Sequence, residues 1–518
     1  MTSVQPKKFH EFLVLLDDQA VRQVEKAKAM PMGLKRREFV AETLINNMMK
    51  TQQPLWDVLD GLKDSGHVDP KKAYQPLWIQ NAIIVHGDDT AEQVMSSAAG
   101  VAQAIKSANH TLETPPFEVD TFADPAANKS GKGKGQGLMW NVERMKVMKA
   151  WADGITGKGV KVGSIDTGVD VSHPALLAKY AGYNPISGSI DNTSSWFDAT
   201  GESPDKPVDA GRHGTHTVGT VLGSYGGNRT GMAPNAKFIA ARGLGEKGGT
   251  DGMLLRSFQF MAAPRVPTPG TSPGSRRDLT LGVDLINNSW GSTDGLSTSY
   301  MNALRNMAAM GIVNIFSAGN DGQGGKAGSL GSPASSPDVI SVAATDRKDK
   351  IAEFSSRGPN PLPSPDGEPS PFVSAPGVDI YSTIPGGRFE TGWQGTSMSG
   401  PAVAGLSTLI LDVAQQETGA KFDVYSVKAV LKKLAEDIGA KGVDDVTGYG
   451  IPTAENLRSV VKQVAIDRGL MKKPSSRPDK PKVAPEAPKA KAPAAEPTPP
   501  KKTAVKTPHA DTAEQDIP

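Results

Sequence analysis

The chain reads as an α/β protein built on a doubly wound, mostly parallel sheet and preceded by a small α+β domain. Two observations carry that expectation. From about residue 140 onward, short apolar runs of strand length alternate with segments of helical periodicity, the pattern of successive βαβ units. Ahead of that body, residues 1 to about 120 have a different character, with one long strand-like run among amphipathic helices.

In the N-terminal part, residues 38–49 and 54–63 read as two helices. Residues 77–85 read as a strand closed by Gly87-Asp88-Asp89. Residues 91–108 read as a helix with Val94, Ala98, Val101, Ala102 and Ile105 on one face. A Gly/Lys-rich stretch over 126–137 has the composition of an exposed, easily cut connector, and hence of a maturation region. Beyond it, strands are expected at 160–166, 237–241, 283–288, 312–316 and 339–343, and helices at 213–222, 252–261, 299–310, 397–414 and 424–435. The Pro/Gly/Ser/Thr-rich run 264–275 reads as a surface loop. The Pro/Ala/Lys-rich tail lacks the apolar content to fold. The resulting division is a domain at 1–125, a linker at 126–137, a main domain at 138–467 and a tail at 468–518. No internal repeat is found.

Composition narrows the chemistry. With 57 Lys+Arg against 55 Asp+Glu the formal net charge is +2, so there is no global footprint for nucleic acid. The absence of cysteine excludes disulfides, thiolate metal sites and a cysteine nucleophile, and leaves the redox compartment open. The apolar run Phe12-Leu13-Val14-Leu15-Leu16 is cut off by Asp17-Asp18 and is too short for a signal-peptide core. No stretch reads as a membrane span. Localisation is therefore left between the cytosol and export by a route not visible in this chain.

Three segments carry chemistry. Gly395-Thr396-Ser397-Met398-Ser399-Gly400-Pro401 leads into an apolar helical run, which sets Ser397 at a helix start where unpaired N–H groups favour developing negative charge. Val162-Gly163-Ser164-Ile165-Asp166-Thr167-Gly168 ends a buried strand at Asp166. His213-Gly214-Thr215-His216 opens a helix at a histidine, and Gly214 and Gly219 cost that helix stability unless something packs closely on them. Taken singly, Asp166 is also a turn cap, His213 a helix-start residue and Ser397 part of a packed helix entry. Together they are the parts of a Ser-His-Asp triad. A metal pair of His213 and His216 lacks a third ligand at suitable spacing, so no metal residue is assigned.

These segments resemble the aspartate, histidine and serine motifs of the subtilisin-like serine proteases, the subtilases. Ser317-Ala318-Gly319-Asn320-Asp321-Gly322 resembles the block that carries the family's oxyanion asparagine. Asn287-Asn288-Ser289-Trp290-Gly291, Phe354-Ser355-Ser356-Arg357-Gly358-Pro359 and Ala375-Pro376-Gly377 add further matches in family order, over about residues 138 to 467. The resemblance implies a serine endopeptidase with Ser397 as nucleophile, His213 as general base and acid, Asp166 orienting the imidazole, and Asn320 in the oxyanion hole. It implies protein or peptide substrates held as an extended strand between two backbone segments, Gly243-Leu244-Gly245 through Gly249 on one side and Ser289-Trp290-Gly291 on the other. Ser317-Ala318-Gly319 would then line the primary pocket, and these small uncharged residues point to a broad apolar preference.

The same resemblance makes the N-terminal unit a propeptide, an intramolecular inhibitor in a self-processing zymogen. Two other readings stay open: a catalytically silent subtilase fold used for peptide binding or as a scaffold, and an enzyme limited to cutting itself. No cofactor is required for catalysis. Many family members bind a structural calcium through an aspartate after His-Pro, but here the run is His173-Pro174-Ala175, and the loop 226–231 is also poor in carboxylates. That site is doubtful, while calcium elsewhere stays open.

Overall fold

Seven parallel strands form the central sheet, in the order Val373–Pro376, Val339–Thr345, Val313–Ser317, Leu285–Asn288, Lys161–Asp166, Lys237–Arg242, Trp196–Asp198. Every pairing in it is parallel. The computed structural model describes residues 8–72, 74–112, 139–264, 278–362, 364 and 366–472, with residues 120–122 as backbone only. The 126–137 stretch, nearly all of the 264–275 loop, and the tail after Lys472 lie outside the described residues.

The sheet is covered on both faces, and successive residues of a strand divide between the two layers. Val162, Ala240, Leu285 and Ile315 pack with the helices Thr396–Thr418, His213–Leu222, Val424–Leu434 and Leu457–Asp467. Ile165, Ile239, Ile286 and Phe316 pack on the opposite face with Asp251–Ala262 and Met301–Ala309. This is why the strands read as near-continuous apolar runs. The first strand laid down, Lys161–Asp166, lies inside the sheet, and the chain builds to one side of it before crossing to the other. Connections diverge there and open a crevice at the carboxyl ends.

The expected strands and helices of this body all occur, with small shifts at their ends. Two strands of the central sheet were not foreseen: Trp196–Asp198, which pairs with one neighbour among the described residues, and Val373–Pro376, which ends in proline. The expectation about membrane-spanning length needs amending. Thr396–Thr418 is 23 residues long and contains an 18-residue window with a mean hydropathy of 1.3, long and apolar enough by composition. Its apolar window is wholly buried inside the fold, as in the core helix of a packed domain.

The N-terminal region contains a four-stranded antiparallel sheet, in the order Gln75–Leu77, Ala82–Gly87, His10–Leu16, Val101–Lys106. The apolar run at residues 12–16, too short for a signal-peptide core, belongs to the inner strand His10–Leu16. Phe12, Val14 and Leu16 enter a local core with Leu55, Leu59 and Leu62, while Leu13 faces the main body.

Three N-terminal expectations are corrected. One helix, Leu34–Asp64, replaces two and runs through Pro54. An interior proline costs about 3 kcal/mol, but Leu55, Leu59 and Leu62 just beyond it are each buried, at about 1.5–3 kcal/mol apiece. The strand foreseen at 77–85 is two strands joined by a turn at 78–81. Gln80 Nε2 donates to Ser299 O at 2.8 Å, and Asn81 Nδ2 donates to Asp18 O at 2.7 Å, so polar side chains hold the reversal. The helix foreseen at 91–108 is Asp89–Ser96 followed by the strand Val101–Lys106. Gly100 breaks it at φ +81°, a conformation open to glycine.

This region is seated on the helix layer formed by Asp251–Ala262 and Met301–Ala309. Arg37 is 5% exposed; its Nη2 donates to Val283 O at 3.0 Å and its Nε to Met310 O at 3.4 Å. Arg36 Nε donates to Ala309 O at 2.8 Å. These carbonyls lie where the chain leaves a helix or enters a strand, so the guanidinium groups satisfy acceptors that a helix end leaves open.

Candidate active site

Asp166 closes its strand with its side chain 1% exposed. Its Oδ1 accepts from Thr167 N at 2.7 Å and from His213 Nδ1 at 2.8 Å, and its Oδ2 accepts from Thr217 Oγ1 at 3.2 Å. The histidine is the first residue of its helix, which the Arg212 cap enters in a left-handed conformation. Gly214 lets that turn lie against the Asp166 loop: a Cβ there would stand 2.0 Å from Gly168 O and 3.1 Å from Asp166 Cβ. Gly219 does the same against Thr383 Oγ1, at 2.1 Å. The cost of helical glycine is thus met by close approach.

Burial opposes a charge on His213. The Asp166 carboxylate, through its charge and hydrogen bond, and then Asp209 outweigh it and raise the pKa above the ordinary imidazole value. With Nδ1 given to Asp166, Nε2 has no hydrogen-bond partner among the described residues. His216 is a different case. It stacks on Trp393 at 4.4 Å, and burial together with the neighbouring His213 holds its pKa well below the ordinary value.

Ser397 sits in the first turn of Thr396–Thr418, 6% exposed. Its Oγ donates to Ser289 O at 3.1 Å, and Ser289 Oγ donates to Ser397 O at 3.2 Å, so no Oγ–Nε2 hydrogen bond joins Ser397 to His213 here. Asn320 Oδ1 accepts from Thr396 N at 3.0 Å and Thr396 Oγ1 at 2.9 Å. That assigns the amide orientation, with the Nδ2 end turned away from Thr396. Ser397, Asn320, Ser289, Trp290, Gly291, Ser317, Ala318 and Gly319 line one cavity of about 220 Å³. Gly243, Leu244 and Gly245 do not line it, whereas Gly249, at the far end of the same expected wall, pairs with His110 of the N-terminal segment. The N–H groups of Gly243 and Leu244 donate to Asp166 O, and Gly245 pairs with Gly248. The Trp290 ring packs among Phe258, Tyr300 and Phe316, with the His110 ring 6.2 Å away, so it is buried while the N-terminal segment is in place.

Asp209 was missed in the sequence. It accepts from Thr167 Oγ1 at 2.7 Å, Thr215 N at 2.7 Å and Thr215 Oγ1 at 2.6 Å. It thereby ties the loop after Asp166 to the first turn after His213. The available signal was a threonine following Asp166, another following Gly214, and an acid four residues before His213.

Residues 157–450 match the sequence profile of the Subtilase family, Peptidase_S8. The chain belongs to the subtilase family. This subtilase is 34% identical to Bacillopeptidase F of Bacillus subtilis (strain 168) over 442 residues, which is 82% of this chain and 29% of that protein. It is 32% identical to Subtilisin DY of Bacillus licheniformis over 324 residues, 62% of this chain and 98% of the relative. It is 29% identical to Minor extracellular protease Epr of Bacillus subtilis (strain 168) over 314 residues, 60% of this chain. The subtilase thus spans 29% of Bacillopeptidase F and 40% of Epr.

The family's calcium position can be tested on the residues present. Ala175 offers only its carbonyl, and that oxygen already accepts from Lys179 Nζ at 2.9 Å. The same ammonium reaches Ser224 O, in the hairpin after the histidine helix, at 3.3 Å. Burial, then Lys237 and Arg229, bring the Lys179 pKa down to about 8, so the surrounding charges are cationic. A lysine on the candidate carbonyls and further cations around it do not fit a calcium ion, which calls for carboxylates.

Proposed function

We propose that this subtilase is a serine endopeptidase produced as a self-processing zymogen. The observation that carries the reading is the buried Asp166–His213 contact of 2.8 Å, which leaves Nε2 without a partner, beside a helix that begins at Thr396-Ser397. Activation needs Ser397 Oγ to leave Ser289 O and donate to His213 Nε2. The imidazole then takes the proton as Oγ attacks a peptide carbonyl, and returns it to the leaving amine. Asp166 holds the tautomer and stabilises the imidazolium. The oxyanion is received by Ser397 N–H and Asn320 Nδ2. A serine-directed fluorophosphonate tests this directly: a working site labels at Ser397, and a silent peptide-binding scaffold stays unlabelled.

Asn320→Ala is expected to lower kcat by about 10²–10³, the scale found for the corresponding loss in a subtilisin, with little change in KM. Steady-state kinetics on an unfolded protein substrate checks it. Loss confined to KM would remove Asn320 from the oxyanion hole. The uncharged Ser317-Ala318-Gly319 wall supports broad acceptance of apolar side chains in the primary pocket.

The inhibitor role of the N-terminal region is supported by residues Asn109 to Leu112, which line the cavity that contains Ser397 and Asn320. The processing cut is therefore expected carboxyl-terminal to Leu112. At the family's calcium position we propose that Lys179 serves as an internal cation. Hydrogen–deuterium exchange over residues 222–231 is expected to be the same in EGTA and in millimolar calcium. Added protection in calcium would return a metal to that place.

A further inference from the structure

The segment of the N-terminal region that ends at Leu112 lies in the crevice as an added strand. Asn109–His110 pairs antiparallel with Gly249–Thr250, His110 opposite Gly249. Asp251 N donates to Ala108 O at 3.1 Å, and Asn109 Nδ2 donates to Lys247 O at 2.9 Å. Strand addition is the general way an extended peptide binds a sheet-like edge, with backbone bonds for affinity and side-chain pockets for choice. Leu112 reaches the cavity that holds Ser397, so His110 stands on the amino-terminal side of any bond presented there.

The pocket that receives His110 differs in chemistry from the uncharged primary pocket. His110 Nε2 lies 2.7 Å from Asp251 Oδ1 and 2.9 Å from the Tyr300 hydroxyl, and Tyr300 also donates to Asp251 Oδ1. The His110 ring lies 6.2 Å from Trp290 and 5.9 Å from Tyr300, centroid to centroid. His110 is 5% exposed, Asp251 3% and Tyr300 1%. Among the described residues, three groups bond to the Asp251 carboxylate: His110, Tyr300 and the Ala108 N–H at 3.0 Å. Two of the three belong to the N-terminal segment. When that segment departs, Asp251 keeps Tyr300 alone, at the floor of a cleft that an incoming peptide covers again.

We propose that Asp251, backed by Tyr300 and Trp290, is a specificity-determining subsite that selects histidine, lysine or arginine in substrates, at the position His110 occupies, on the amino-terminal side of the bond cut. This rests on the serine-peptidase reading above. A nitrogen donor entering there restores the hydrogen bond to a carboxylate, and cationic donors add attraction to the carboxylate and the two rings. An apolar side chain leaves the carboxylate covered and short of a partner, which is the costly case. His110 uses Nε2, and its Nδ1 has no partner among the described residues, so a side chain with a single charged nitrogen fits equally well.

Two measurements test the subsite, one of them independent of chemistry. A random peptide mixture is digested with matured wild type, Asp251→Asn and Asp251→Leu, and the products are read by mass spectrometry. Wild type is expected to enrich His, Lys and Arg about tenfold at one position before the cut. Both variants are expected to lose that enrichment while still cutting peptides with leucine there. Cutting without the enrichment, or enrichment unchanged in both variants, overturns the proposal.

In parallel, hydrogen–deuterium exchange is followed over residues 106–112 of the full chain carrying Ser397→Ala. His110→Lys is expected to keep the protection of the His110 chain, and His110→Leu to lose about tenfold. Equal protection in His110→Leu overturns the subsite. If wild type cuts nothing while the exchange arm shows the expected order, the peptidase reading fails and the pocket's selectivity stands.

Discussion

Ser397→Ala is expected to remain full length when purified and incubated, while wild type sheds its first 112–140 residues. Intact mass over time reads the difference. On an added unfolded protein, the variant should lose on the order of 10⁶ in turnover, the scale of nucleophile loss in a subtilisin. The argument rests on position. Ser397 is in the first turn of a buried 23-residue helix, lining the same cavity as Asn320 and as Asn109 to Leu112. Processing of both proteins would assign the cut to another protease. Persistence of both at full length would end the zymogen reading, leaving hydrolysis of the added substrate to stand or fall by itself.

Asp166→Asn should leave the fold intact and lower kcat/KM by about 10⁴. The carboxylate accepts from Thr167 N, His213 Nδ1 and Thr217 Oγ1. An amide can keep its oxygen on some of these donors, but its NH₂ turned toward His213 favours the wrong tautomer. The pH profile separates this from simple damage. The general base must be neutral, so activity rises as pH passes upward through the His213 pKa. In wild type that pKa is raised above 6.5, because Asp166 and Asp209 outweigh the opposing effect of burial. The acid limb of kcat/KM should therefore lie above 6.5 in wild type and move down in Asp166→Asn, where burial prevails. An unmoved limb would detach it from His213.

The main body was legible in the sequence because its signals are local. The helix His213–Leu222 was expected at its observed bounds, since the histidine start and the small-residue spacing lie within ten residues. The short strands Trp196–Asp198 and Val373–Pro376 carry too few residues to show a period. The region 101–106 shows why local pattern fails elsewhere. Its apolar spacing suits a helix, yet Gly100 breaks the run and His10–Leu16, far back in the chain, recruits it as a strand.

Among site residues, Asp166, His213, Ser397 and Asn320 were named from motifs. Asp209 was not, because its partner Thr167 lies 42 residues away. The Asp251–His110 contact spans 141 residues and left no local trace. Leu244 and Gly245 were carried over by likeness alone, and their neighbourhood differs from the cavity at Ser397.

The arginine pair has a kinetic consequence. Arg36 and Arg37 grip the carbonyls where Leu285–Asn288 and Val313–Ser317 are entered, while Asn109–His110 lies at the opposite, carboxyl-end crevice of the same sheet. The N-terminal unit is thus held far from the crevice as well as within it, and a cut near the crevice releases neither foothold. If the crevice segment lifts off, the far grip holds it at millimolar effective concentration, so rebinding outruns escape. Dilution alone would then wake such an enzyme slowly, whereas destroying the tethered unit would wake it at once.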